Sequence, residues 1–196
     1  MTIYGDPNTF ALLIEALPQW TSHGGHVNGA FHFIVDQQIF PKTMRVSTIS
    51  ADVGSLWMGN ALRDLPEDRE LAAVPAGAAY HRLLGRMLPA LVMHEDDVPD
   101  DFVADCTHQA STHNLEDSGC FAFAVAVDER VRILAAEVDG VSARHRDSIA
   151  AGIWPDVAEA WVDRKELVEI LDAVRLRVWQ PLSNDGERGS THRRPL

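Results

Sequence analysis

The sequence predicts an α+β fold: a mainly antiparallel sheet built from two strand groups, packed by a central helix and a C-terminal helix. Three observations carry this. Residues 30–51 and 120–138 are rich in β-branched and aromatic side chains interrupted by short polar turns. Apolar residues recur at helical spacing from Tyr80 to Leu91 and from Leu167 to Val178. The strands come in groups separated by helices, not in strict alternation with them, which favours α+β over a parallel βαβ sheet.

Taken in order, Phe10 to Leu17 is an apolar run broken by Glu15 and ended by Pro18. So short a run fits a strand or a short helix. Thr21 to Gly25 reads as a loop. Ala30 to Val35 (Ala-Phe-His-Phe-Ile-Val) reads as a strand, and Asp36-Gln37 turns it into Gln38-Ile39-Phe40, where Pro41 ends the return strand or marks a sheet edge. Val46 to Ala51 reads as a further strand. Asp52 to Asn60 is ambiguous, with Leu56, Trp57 and Met58 expected in the core.

Asp64-Leu65-Pro66-Glu67 reads as a turn opening a short helix with proline at its first position. Pro75 starts a longer helix whose stripe is Tyr80, Leu83, Leu84, Met87, Leu88 and Leu91, weakened by Gly85 and Pro89. His94 to Gly119 is a long acidic excursion around Pro99, partly ordered by Val98, Phe102 and Val103. Cys120 to Val127 alternates small and bulky residues, so as a strand it has one bulky face and one shallow face. Asp128-Glu129 turns it into a second strand, Val131 to Val138. Asp139 to Gly152 is polar and reads as a loop, and Val157 to Val162 as the last strand. Asp163, with Glu166 three residues on, resembles a capping box opening a helix with the stripe Leu167, Ile170, Leu171, Val174 and Val178. Pro181 ends it. Residues 1–181 thus read as a single domain, and 182–196 as a disordered polar tail.

Of the 196 residues, 46% are hydrophobic and 23% charged, ordinary usage for a folded chain. The 17 Lys+Arg against 29 Asp+Glu give a net charge of -12. Such a surface repels phosphate backbones and anionic membranes, so neither nucleic acid nor membrane is an expected partner. It attracts a basic protein and speeds the encounter. No signal-like start or membrane-length apolar run occurs, so the chain is expected in the cytoplasm with Cys106 and Cys120 reduced.

Searches for chemistry end without a site. There is no Walker or dinucleotide glycine motif, and His23-Gly24-Gly25-His26 lacks a following helix. Cys106, His108, His113 and Cys120 have none of the paired spacings of tetrahedral zinc, and the acids of 96–105 lack the alternation of a calcium loop. No serine lies in a nucleophile elbow, and a Cys106–His108 pair lacks a third orienting group. The expectation is therefore no enzyme activity, no cofactor and no metal. Trp20, Trp57, Trp154, Trp161 and Trp179 are of a type that anchors interfaces, but within strands and helices they read as core.

One pattern resembles a known family. Ile3-Tyr4-Gly5-Asp6-Pro7, Phe10-Ala11, Trp20, Asn28-Gly29-Ala30-Phe31-His32-Phe33-Ile34-Val35-Asp36 and the run from Thr48 to Leu56 look like the Immunity protein 42 family of bacterial polymorphic toxin systems. The resemblance continues through the hairpin of 120–138 and the helix from Asp163. It departs at Asp36-Gln37-Gln38, where the family pattern suggests a glycine turn. It implies a protein that neutralises a cognate toxin in the producing cell, without catalytic residues of its own. Many such toxin domains act on nucleic acids and are basic. An acidic contact surface would then be formed by Glu95, Asp96, Asp97, Asp100, Asp101, Asp105, Glu116 and Asp117, eight acids without one Lys or Arg between His94 and Gly119. The competing readings are a solvated loop that touches nothing, an adaptor module of another kind, and a small hydrolase using the His-rich loop.

Overall fold

A computed structural model of the protein describes residues 1–21, 26–138 and 146–179. The glycine pair at 24–25, the beginning of the polar stretch at 139–145, and Pro181 with the tail from 182 onward lie outside the described residues.

The N-terminal hairpin settles the open choice at Phe10. β1 (Thr2–Gly5) pairs antiparallel with β2 (Phe10–Ala16), from Thr2↔Ile14 to Gly5↔Ala11. The turn between them is closed by Asp6, whose carboxylate accepts the Asn8 N–H at 2.9 Å and whose carbonyl accepts the Thr9 N–H at 3.0 Å. β2 then pairs along its length with β3 (Asn28–Val35). Asp36 and Gln37 both take positive φ, 47° and 63°, and return the chain into β4 (Gln38–Phe40) without a glycine. This is the left-handed conformation that two-residue hairpin turns require.

The strand expected over Val46 to Ala51 is only β5, Ser47–Thr48, which uses the other end of the same edge of β3. From Ile49 the chain turns into α1 (Ile49–Ser55). The reason is the spacing of Ile49 and Val53, four apart, which a helix places on one face; both are fully buried with Leu56. Trp57 is only half-buried and Met58 is 75% exposed, so Leu56 alone of that trio belongs to the core.

Short helices follow. Asn60 caps α2 (Ala61–Asp64) by accepting the Leu62 N–H, and Asp68 caps α3 (Arg69–Ala73) by accepting the Leu71 N–H. Pro66 does not open a helix. Its carbonyl accepts the Ala126 N–H at 2.8 Å, and Asp68 N–H returns to the Ala126 carbonyl. Residues 66–68 therefore run beside a strand edge, and the cap falls two residues later. α4 (Ala76–Met87) begins directly after Pro75 and buries Ala79, Tyr80, Leu83, Leu84 and Met87. Its stripe stops short of Leu88, because the residue before a proline is pushed out of helical geometry; Leu88 has ψ 72° and is exposed.

The second sheet is β6 (Cys120–Val127), β7 (Arg130–Glu137) and β8 (Ala158–Asp163), all antiparallel. The two faces of β6 do different work. Cys120, Ala122, Ala124 and Ala126 face the first sheet, where Phe10, Leu12, Phe31 and Phe33 fill the space the small residues leave. Phe121, Phe123 and Val125 face α4 and pack with Tyr80, Leu84 and Trp154. The stretch expected as a loop up to Gly152 contains α6 (Arg146–Ala150), with Ile149 buried in that second cluster. α7 (Arg164–Val174) buries Leu167, Ile170, Leu171 and Val174 against the inter-sheet core and continues as a wider turn, Arg175–Trp179. Asp163 does stand at the helix cap, but its carboxylate caps nothing; it approaches Arg130 Nε at 3.7 Å across the sheet. The capping-box reading is corrected accordingly.

Candidate functional site

The acidic stretch is not one loop. Its second half is structural and lies along the outer edge of β6. Ala124 N–H donates to the His108 carbonyl at 3.0 Å, Ala110 N–H to the Ala122 carbonyl at 2.8 Å, and Gln109 bridges Phe123. Asn60 Nδ2 donates to the Ala110 carbonyl at 3.0 Å, tying the segment to α2. Ala110, Ser111, Thr112 and Leu115 are buried, and α5 (His113–Glu116) closes the segment before β6. An edge that would otherwise expose unpaired amides is covered in this way.

This placement sorts the eight acids. Asp96, Asp97, Asp100 and Asp101 are exposed on the outer half, where Glu95 to Asp97 forms a single 3₁₀ turn. Asp105 is also exposed, but its N–H donates to the Arg86 carbonyl at 2.9 Å, which anchors the outer half to α4. Hydrogen bonds from the Thr107 hydroxyl and N–H hold its carboxyl below the usual range, with Arg86 and His108 adding to the effect. Glu116 turns inward and accepts from Gln109 Nε2 and from Ser111 Oγ. Asp117 is exposed elsewhere, at a polar cavity of about 210 Å³ lined also by His32, Arg45, Ser47 and Asn114. Six acids, Glu95 to Asp105, thus share one segment, while Glu116 and Asp117 belong to the wall beside β6.

Of the three residues expected to order part of the excursion, two are covered. Val98 and Phe102 are half-buried, but Val103 is 83% exposed. Leu88 and Met93, which precede the stretch in the sequence, are exposed apolar residues as well. Protein interfaces commonly have this composition, apolar patches rimmed by charge.

One buried polar centre escaped the sequence reading. Asp52, on α1, is fully buried and accepts hydrogen bonds from Ser47 Oγ, from Thr112 Oγ1 at 2.5 Å and from Asn114 Nδ2 at 2.9 Å. It joins β5, α1 and the segment before β6. The available signal was an acid between Ile49 and Val53, which a boundary between a strand ending at Ala51 and an ambiguous stretch from Asp52 concealed. Arg132 is a second such centre. It is 2% exposed, pairs with Glu159 through Nε at 2.8 Å, and donates Nη1 to the Leu71 and Val74 carbonyls, both at 2.8 Å, at the end of α3.

Chemically, these groups are engaged in structure. His108 Nδ1 is engaged with the Ala124 carbonyl at 3.1 Å. Desolvation, with the Glu116 and Asp105 carboxylates, pushes the Cys106 thiol up, which disfavours the thiolate. Cys106 and Cys120 are not joined to each other. Among the described residues no group of three or more His, Cys, Asp or Glu could hold a metal ion, and no helix is long and apolar enough to cross a membrane.

No curated protein matches the chain. In fold it is similar to the crystal structure of CdiI from Burkholderia dolosa AUO158, with a TM-score of 0.69 and 22% identity over 90% of this chain and 99% of that one. The family described as Immunity protein 42 matches residues 1–175, which include both sheets, α4, the acidic stretch and all of α7, and the chain belongs to that family.

Proposed function

We propose that this immunity protein neutralises its toxin by binding a basic surface of it through the exposed acids Asp96, Asp97, Asp100, Asp101 and Asp105. The observation that supports this reading is the exposure of Asp96, Asp97, Asp100 and Asp101, close in the sequence to exposed Leu88, Met93 and Val103. The acids steer a basic partner, and the apolar side chains supply contact area once it has docked. Inhibition on this reading is occlusion by a folded surface and needs no catalysis by this chain. Glu116 and Asp117 are not part of the contact, because one is held within its own segment and the other opens on a separate cavity.

The test is co-expression with the protein encoded immediately upstream, followed by co-purification at low and high salt. A complex that rescues growth and associates more slowly as salt rises is the expected result. Changing Asp96, Asp97, Asp100 and Asp101 together to Asn should slow association by about ten-fold at low salt, the scale on which steering acts. Unchanged affinity and association rate in that variant would remove these residues from the contact.

A further inference from the structure

Away from the acidic segment, the turn after α1, α2, one face of α7 and the wider turn that continues it enclose a cleft of about 340 Å³. It is lined by Trp57, Leu62, Arg63, Val168, Leu171, Asp172, Arg175 and Trp179. Its chemistry is the reverse of the rest of the molecule. Two guanidinium groups face one carboxylate, in a chain whose net charge is -12. Two indoles form part of the wall, and Val168 on the rim is 47% exposed. Arg63 is braced at the rim by a hydrogen bond from Nη1 to the Trp57 carbonyl at 2.5 Å. The Arg175 side chain is exposed and has no ion pair or hydrogen bond to another described residue, while its backbone N–H donates to the Leu171 and Asp172 carbonyls. The Trp57 Nε1–H is buried without an acceptor, an arrangement that costs free energy until an acceptor arrives.

We propose that this cleft is a second docking point for the toxin and receives a segment of it that carries an apolar side chain next to a carboxylate. This rests on the binding reading above. The argument is charge complementarity. A cleft with an excess of two arginines over one aspartate, on an acidic protein, selects a carboxylate that the remaining surface repels. The planar guanidinium of Arg175 suits a carboxylate bidentately, and the indoles suit an apolar neighbour. Tryptophan and arginine together are the residues that most often carry binding energy at protein interfaces. The acidic segment would then govern how fast the toxin arrives, and the cleft how long it stays.

The two roles make opposite predictions for one substitution. Arg175→Glu makes the protein more acidic by two charges. If steering toward a basic toxin were the whole of the interaction, this variant would associate as fast as the wild type or faster and dissociate at the same rate. If the cleft holds a carboxylate, the complex with the purified upstream-encoded toxin domain should dissociate about ten-fold faster or more, the scale of a lost interface anchor. Val168→Asp, on the exposed rim of a helix, places a carboxylate in the cleft by another route and should act in the same direction. Thermal melting of both variants establishes that they fold. Wild-type dissociation rates in both variants, while the wild-type complex forms normally, would overturn the cleft proposal and leave the acidic contact standing. Failure of the wild-type protein to bind that toxin domain at all would overturn both.

Discussion

Replacing Asp52 by alanine removes the acceptor shared by three donors on two segments, β5 and the stretch before β6. Of these, Ser47 is 5% exposed and Thr112 is 1% exposed, so neither hydroxyl can turn to water; Asn114 is half-buried and can rehydrate. Two orphaned hydroxyls at about 1–3 kcal/mol each give a central cost of about 4 kcal/mol. Removing a buried charge returns part of its desolvation penalty, which lowers the net loss to about 3 kcal/mol. That is a large share of the roughly 5–15 kcal/mol by which domains are stable. For a chain of this length each kcal/mol moves the melting midpoint by about 2–4 °C, so the expected fall is about 6–12 °C. Urea unfolding followed by circular dichroism measures the loss directly, with an unchanged slope showing that the midpoint reports stability. Asp52→Asn keeps the volume and one acceptor oxygen but turns an amide toward a donor, and should lose about half as much. A loss below about 1 kcal/mol for the alanine variant would refute the reasoning, since it would mean that the hydroxyls find other acceptors at no cost.

Two further outcomes follow from the same structure. His32 is 2% exposed and its pKa is lowered, chiefly by desolvation, with the Pro41 carbonyl and the Asp52 carboxylate opposing; a depressed folded pKa gives stability that is complete above the unfolded value of about 6.5 and is lost as pH falls toward the folded one, so urea midpoints should decline between about pH 7 and pH 5, and His32→Gln should flatten that decline. A Cβ on Gly29 would collide with the Glu15 carbonyl across the β2–β3 pair, whereas at Gly59, with φ +70°, it would meet open space; Gly29→Ala should therefore leave little folded protein on expression, while Gly59→Ala should lose only about 1–2 kcal/mol of conformational strain in a melt.

Much of the fold was legible because local chemistry dictated it. The Ala/Phe alternation of Cys120 to Val127 specified a strand with one shallow face, and the structure seats that face against the phenylalanines of β2 and β3. The stripe from Leu167 to Val174 specified a helix in the same way. Where the reading failed, a tertiary partner decided. Val46 to Ala51 has strand-like composition, yet Asp52 needs the hydroxyls of Ser47 and Thr112, and winding Ile49 to Ser55 into a helix brings it to them. Residues 106–112 are polar enough to read as loop, but they are held by the free edge of β6, whose amides need partners. Asp163 has the sequence of a cap and is drawn off by Arg130.

The sequence by itself determined the secondary-structure types with strong periodicity, the acidic character of the surface and the family to which the chain belongs, since each depends on residue order and composition alone. Only the tertiary structure decided which of the eight acids face outward, that Asp52 and Arg132 are buried polar anchors, and that Trp57, Arg63, Arg175 and Trp179 meet in one cleft. The physical reason is distance along the chain. Thr112 lies 60 residues from Asp52, and Arg132 lies 61 from Leu71. Interactions of that separation leave no periodic trace in the sequence and exist only once the sheets have packed.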